Sequence, residues 1–280
     1  MALIKLESLE NVGNGKTAIL NTDRLWPLTL EYISLTLGGT FTKANISGIK
    51  VRFGTKVVWD LSGAQLNSMN LFEVRPATAT VLVLPFANHR ARDLEQMYIP
   101  APDFSALGVR RVTVEVAVSG ATDPITLEAR ASVVPPKLLS PAQNLLFRAL
   151  LRTPLAPSAA VQAAPQMINY GQAGGALLRK LHFFSALVTK VGIKRDGLDF
   201  FEDVTLADNN ALLDEYGWDP QTSIYSVNNV YDDNELKALT SIRDDGQGGS
   251  LVPQQILMTT SGAGAFDVIA DVLIPLNGIA

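Results

Sequence analysis

Residues 48–67 read GIKVRFGTKVVWDLSGAQLN, and residues 192–210 read GIKRDGLDFFEDVTLADNN. Each begins with Gly-Ile-Lys, turns at a glycine, runs through bulky apolar residues to an aspartate, and ends in a polar segment carrying asparagine. With Gly54 set on Gly197, Asp60 meets Asp203, Ala64 meets Ala207 and Asn67 meets Asn210. Val57 and Val58 meet Phe200 and Phe201, Leu61 meets Val204 and Ser62 meets Thr205, with the leading triplets aligned after a one-residue gap. Glycine accepts the positive φ that a tight hairpin turn requires. Each stretch therefore reads as a β-hairpin whose second strand leaves the sheet at the aspartate into a loop or short helix. Shared β-composition accounts for some of these matches, and the rest of the chain has to decide whether one fold is written twice.

Working outward, period-two alternation of apolar and polar residues recurs on both sides of the hairpins. In the first half it marks strands at 28–37 (LTLEYISLTL), 49–53, 57–61, 79–84, 112–118 (VTVEVAV) and 125–133. In the second half it marks 181–188, 198–201, 223–227, 255–259 and 266–276. Val58, Trp59 and Phe201 fall on expected core positions. Gly, Asn, Asp and Pro separate these runs, and no long helical pattern lies between successive strands, so sandwiches are expected rather than βαβ units. Short helices are expected at 92–98, at 140–151 behind a Ser140-Pro141 start, and at 206–216, where Gly217 supplies a stop. Residues 135–175 are rich in Pro, Ala, Ser and Gly and read as an interdomain connection carrying a helix. The expected division is 1–134, connection 135–175, and 176–280. The fold class is all-β: two tandem eight-stranded jelly-roll sandwiches with a few short helices.

The chemistry is defined by what the sequence lacks. The chain of 280 residues has a formal net charge of −4, no cysteine and two histidines. Disulfides, thiolate chemistry and Cys-ligated metal are excluded. His89 and His182 are too few for a multi-histidine metal centre, and each is expected to be structural. Lys and Arg are scattered, with no basic tail, which argues against broad phosphate contact with nucleic acid. Acidic clusters at Asp199, Glu202 and Asp203, at Asp214 and Glu215, at Asp232 and Asp233, and at Asp244 and Asp245 lack the ordered spacing of a calcium loop. They read as solvated turns, and replacing Asp244 is expected to matter little. Gly13–Lys16 (GNGK) lacks the full spacing of a phosphate loop. No catalytic, cofactor-binding or metal residue is assigned, and no cofactor is expected. With no leader-like apolar stretch and no run approaching eighteen apolar residues, the chain is expected to be soluble and made in a cytoplasm.

Three stretches carry a family resemblance: VLVLPFANHRARDLEQMYIPAPDFSALGVRRVTVEVAV (81–118), VVPPKLLSPAQNLLFRALL (133–151) and DGLDFFEDVTLADNNALLDEYG (196–217). In order and spacing they resemble the double jelly-roll major capsid protein of tailless, membrane-containing bacteriophages, especially the corticovirus type. The resemblance covers the chain from about residue 28 onward, except that 153–175 is richer in Ala and Pro than the family pattern. The family has no catalytic residues to carry over. The resemblance implies a virion shell protein whose three copies form a pseudo-hexagonal homotrimer. Trimers then pack against neighbouring trimers around an internal membrane, alongside penton and minor capsid or membrane proteins. It implies assembly in the host cytoplasm and no sequence-specific nucleic acid. Residues 153–175 and 219–250 are candidate outward loops, and the start (LESLENVG) is a candidate arm ordered only on assembly. Two other readings stay open on the residues alone. One is a carbohydrate-binding or adhesin-like double sandwich, for which Trp26, Trp59 and Trp218 are possible platform members. The other is a jelly-roll glycoside hydrolase, which needs two facing carboxylates.

Overall fold

The computed structural model describes residues 2–76, 78–171, 175–195, 197–240, 242–243, 250–251 and 254–279. The chain divides into two compact units, the first spanning Met1–Arg148 with Ile279, the second Ala149–Gly278 with Ala280.

The first unit contains β1 (Ala2–Lys5), β2 (Thr17–Thr22), β3 (Thr29–Gly38), β4 (Ile46–Phe53), β5 (Lys56–Leu61), α1 (Gly63–Phe72), β6 (Val81–Pro85), α2 (Leu94–Tyr98), α3 (Phe104–Leu107), β7 (Val112–Val118), β8 (Thr126–Val134) and α4 (Pro141–Asn144). Its strands form two antiparallel layers, β1-β8-β3-β6 and β5-β4-β7-β2. Alternation sets which face is buried: in VTVEVAV every valine of β7 points inward, while Thr113, Glu115 and Ala117 stay partly exposed. Between the layers, Phe53, Trp59, Phe86, Phe104 and Phe147 are all buried. Phe53 lies 5.2 Å from Phe104 and 5.1 Å from Phe147, and Trp59 lies 4.5 Å from Phe86, ring centre to ring centre. The indole N–H of Trp59 donates to the Arg148 carbonyl at 3.1 Å, so this buried polar group is satisfied.

Chain order then repeats. β9 (Leu146–Leu155) carries the chain into the second unit. It is followed by β10 (Val161–Gln166), β11 (Leu177–Phe183), β12 (Val188–Arg195), β13 (Leu198–Thr205), α5 (Leu206–Glu215), β14 (Tyr225–Asn228), β15 (Leu239–Thr240), a small ribbon of β16 (Ile242–Arg243) with β17 (Ser250–Leu251), β18 (Gln254–Thr260) and β19 (Phe266–Pro275). The layers are β9-β19-β11-β14 and β10-β18-β12-β13, with β15 added beside β11. In each unit the first, eighth, third and sixth principal strands make one layer, and the second, seventh, fourth and fifth make the other. That is the jelly-roll order, twice.

The quoted hairpins are β4–β5 and β12–β13, and their turn glycines share a left-handed backbone, φ +61° at Gly54 and +77° at Gly197. Each second strand runs into a helix, and the aligned pair Ser62 and Thr205 are the two N-caps. Ser62 Oγ accepts from the Gln65 N–H at 3.2 Å while Gln65 returns an acceptor to the Ser62 N–H at 2.8 Å; Thr205 Oγ1 accepts from the Asp208 N–H at 3.2 Å. Both helices then hold the next strand through a buried asparagine: Asn70 donates to the Val83 carbonyl and Asn209 to the Ser226 carbonyl, each at 2.8 Å.

Several expectations change. The helix expected over 140–151 is one turn, Pro141–Asn144, and the leucine stripe beyond it belongs to strand β9. Phe147, Arg148, Ala149 and Leu150 are buried in succession, so both faces of that strand are covered, a pattern that periodicity does not separate from a helix. Strands β9 and β10 fall inside 135–175, the range read as connection. The strand expected at 181–188 is the end of β11 and the start of β12, divided by a tight turn in which the Ser185 hydroxyl accepts from the Leu187 N–H. The Leu6–Gly13 stretch, expected as an arm, is already anchored: Leu6 is buried and donates to the Ala129 carbonyl, and Glu10 bridges Ile19. Phe201 is half-buried and Phe200 is 56% exposed, because β13 shifts register beside Asp203, whose φ is +41°; Val58 and Trp59 are fully buried.

Candidate functional site

A buried polar site occurs once in each unit, near the start of the third principal strand. In β3, the register against β8 slips between Leu30, opposite Val133, and Tyr32, opposite Ser132. The bulged residue is Glu31. In β11, the register against β19 slips between Leu178, opposite Val272, and Lys180, opposite Asp271. The bulged residue is Arg179. A bulge leaves one residue unpaired and re-aims its side chain, and here both are buried.

The partners also correspond. Glu31 Oε2 accepts from Ser132 Oγ of the eighth strand at 2.5 Å, and Oε1 accepts from the Tyr98 hydroxyl at 3.0 Å. Arg179 donates to Asp271 of the eighth strand at 2.7 and 2.8 Å. It also donates to both oxygens of Glu235 at 2.6 and 2.8 Å. Tyr98 and Glu235 both lie on the connection between the sixth and seventh principal strands. The residue just past the sixth strand closes each junction by donating to the bulge carbonyl, Phe86 to Glu31 and Asn229 to Arg179. One backbone node is therefore built twice, with a carboxylate at its centre in one unit and a guanidinium in the other. Burial, then the Glu31 carboxylate beside it, push the Tyr98 phenol up to about 12.

A second buried cation serves the first node from behind. Lys137 Nζ lies within hydrogen-bonding distance of four carbonyl oxygens, those of Tyr98, Ile99, Ala101 and Leu146, at 2.8 to 3.2 Å. It fixes the connection that carries Tyr98. Burial pulls the Lys137 ammonium down to about 7, opposed by the nearby Asp103 carboxylate. A further charged cluster joins Glu73 to Arg148 at 2.7 Å and to Arg75 at 3.1 Å.

Two concavities in the first unit, of about 540 and 440 Å³, are each lined by a single carboxylate, Glu31 and Glu95 respectively. Neither provides the facing pair that glycoside hydrolysis needs. Among the described residues no group of three or more His, Asp or Glu could hold a metal. His182 is buried, its Nδ1 2.8 Å from Ser226 Oγ, while His89 stands edge-on to Tyr32. Of the acidic clusters, Asp199 pairs with Lys194, Asp203 with Lys190 and Asp232 with Lys237. Asp214 and Glu215 are exposed at the end of α5, and Asp244 and Asp245 lie outside the described residues. GNGK is a turn that leads into strand β2, not a helix. Trp59 and Trp218 are buried and Trp26 is exposed, so the three tryptophans form no common platform. Sequence reading missed the two nodes, since nothing in Glu31 or Arg179 marks them as equivalent. The available signal was positional: a charged residue at the third position of each third strand, Glu31 in TLEYISLTLG and Arg179 in LLRKLHF.

Comparison with known proteins gives a consistent result. The family model of the viral coat protein P2 N-terminal domain matches residues 3–134, and that of the P2 C-terminal domain matches residues 148–276. No curated protein matches the chain. Among solved structures, the chain is similar to the major capsid protein P2 from Bacteriophage PM2, with TM-score 0.79 and 16% identity over 98% of this chain and 97% of that one. It is also similar to a chain from the structure of Sulfolobus Turreted Icosahedral Virus, with TM-score 0.62 and 11% identity over 98% and 91% of the two chains. A third likeness is to a chain of the PBCV-1 virus capsid, with TM-score 0.56 and 10% identity over 100% and 95%. At such identities these structures speak to the fold.

Proposed function

Because the chain belongs to the viral coat protein P2 family, a family of major capsid proteins with a double jelly roll, we propose that three copies associate into a pseudo-hexagonal trimer that tiles an icosahedral shell around an internal membrane. The observation that carries this reading is the repetition of one strand order in two consecutive units. Three chains contribute six similar sandwiches, and threefold symmetry then yields a near-hexagonal tile. The nodes support it as well, because a shell tile needs rigid, internally satisfied junctions rather than a reactive pocket. Neighbouring trimers, penton proteins and minor capsid or membrane proteins are the partners this reading requires, with assembly in the host cytoplasm. The mild acidity and the lack of a basic arm fit a shell that does not itself pack nucleic acid. Sedimentation with electron microscopy of the purified protein tests it. A stable trimer with a six-lobed outline is expected; a stable monomer at micromolar concentration would sink the trimer reading.

A further inference from the structure

We propose that one end of the first unit is a direct contact surface for an anionic lipid bilayer. The connections β2–β3, β4–β5 and β6–β7, together with the exit from β8, all lie at that end. This follows from the pairing of Thr29 with Val134, Tyr32 with Pro85, and both Thr22 and Phe53 with Val112. The inference rests on the reading of a shell around a membrane and adds which groups touch the lipid.

Two independent observations converge there. The first is exposed apolar side chains. Leu138 is 97% exposed, Leu94 70%, Leu145 45% and Trp26 36%, and all four are on these connections; at the opposite end of the unit, Val74 is the one large exposed apolar residue among those described. Leu94 and Leu138 flank the 440 Å³ cleft, whose walls include Val134, Pro135, Pro136 and Leu139. Exposed apolar groups gathered at one end mark a surface that is covered in use.

The second is charge. Residues 23–28, 86–111 and 135–145 hold six Lys or Arg against four Asp or Glu, although the whole chain carries −4. One of those cations, Lys137, and one of those acids, Asp103, are buried. Of the exposed acids, Asp93 caps α2 and Glu95 accepts from Gln143. Arg92, Arg110 and Arg111 are exposed and form no ion pair among the described residues, and the Arg110 guanidinium sits 5.5 Å from the Trp26 ring centre. Arginines scattered along the sequence are thus brought to the end that carries the tryptophan and leucine tips, the combination that suits an acidic headgroup layer over acyl chains. The tips are presented rigidly: Lys137 ties the Leu138 segment to four carbonyls, and the Gln143–Glu95 bond docks α4 on α2.

The test is flotation of the full chain with vesicles of phosphatidylglycerol and phosphatidylcholine against vesicles of phosphatidylcholine alone. Co-flotation with the anionic vesicles, weakening as salt rises, is expected. The triple variant W26S/L94S/L138S should lose flotation, and R92E/R110E/R111E should lose the preference for anionic lipid. V74S, at the other end, should float like the parent protein. All substituted side chains are solvent-exposed, and circular dichroism checks that the fold persists. A parent protein that stays with the unbound fraction, or a triple variant that floats unchanged, overturns the proposal. Loss of oligomers in the triple variant without flotation of the parent also overturns it, in favour of a protein contact at this end. Sedimentation of the same samples keeps the two readings apart: a trimer that does not float refutes the lipid contact alone.

Discussion

At the bulge of β3 a carboxylate is buried beneath a serine and a tyrosine, while at the bulge of β11 a guanidinium is buried between two carboxylates. The backbone around them is the same: a register slip against the eighth strand, a lid from the connection after the sixth, and a hydrogen bond to the bulge carbonyl from the residue just past the sixth strand. Both bulges place a long charged side chain beneath the connection after the sixth strand, where its polar atoms find partners. The sign of the charge is free, provided the partners change with it. Beside the first node the cation is an ammonium on carbonyl oxygens, whereas at the second a guanidinium sits between two carboxylates.

The difference can be broken most severely in the second unit. Arg179→Met removes the buried guanidinium from which both Glu235 and Asp271 accept, and should cost about 3–5 kcal/mol. Chemical denaturation with limited proteolysis is expected to show the second unit opening first; a loss below about 1 kcal/mol would mean the node is wet rather than closed. Next is pH. A folded-state value near 7 for Lys137 lies below its unfolded value of 10.5, so between those limits the unfolded chain binds more protons. Stability should rise as pH climbs from 7 toward 10.5 and be flat with respect to this group below 7, a change of roughly 3–5 kcal/mol at most. The measurement is the pH dependence of unfolding free energy for the parent minus that for Lys137→Met.

Smaller effects sharpen the comparison. Glu31→Gln keeps one acceptor for Ser132 or Tyr98 and removes no counter-charge, so it should cost about 1–3 kcal/mol, clearly less than Arg179→Met. Ser62→Ala and Thr205→Ala remove equivalent caps from the two hairpin helices and should each cost about 1 kcal/mol by urea midpoint. Unequal losses there would show that the repeat, alike in geometry, differs in how much each unit relies on it.

Much of the fold was legible because alternation is a local signal. VTVEVAV became β7 with both ends as read, and the two Gly-Ile-Lys stretches became topologically equivalent hairpins whose aligned Ser62 and Thr205 cap helices. Where burial covers both faces, as at Phe147–Leu150, the period disappears and the start of β9 reads like a helix. The nodes were not legible for a different reason. Glu31 meets Ser132 across 101 residues, Arg179 meets Asp271 across 92, and the two centres share neither charge nor shape. Likewise Arg24, Arg92, Arg110 and Arg111 look dispersed along the chain until the connections bring them to one end.

The inverted charges also bear on how a chain with two near-identical sandwiches avoids pairing the wrong halves as it folds. If β3 were to seat against β19 in place of β8, Glu31 would be enclosed with Asp271, two acids with no cation between them. If β11 were to seat against β8, Arg179 would meet Ser132 in place of the carboxylate that neutralises it. The first exchange buries two acids together, and the second leaves Arg179 with Glu235 alone in place of two carboxylates. The charge at each bulge thus matches the eighth strand of its own sandwich better than that of the other.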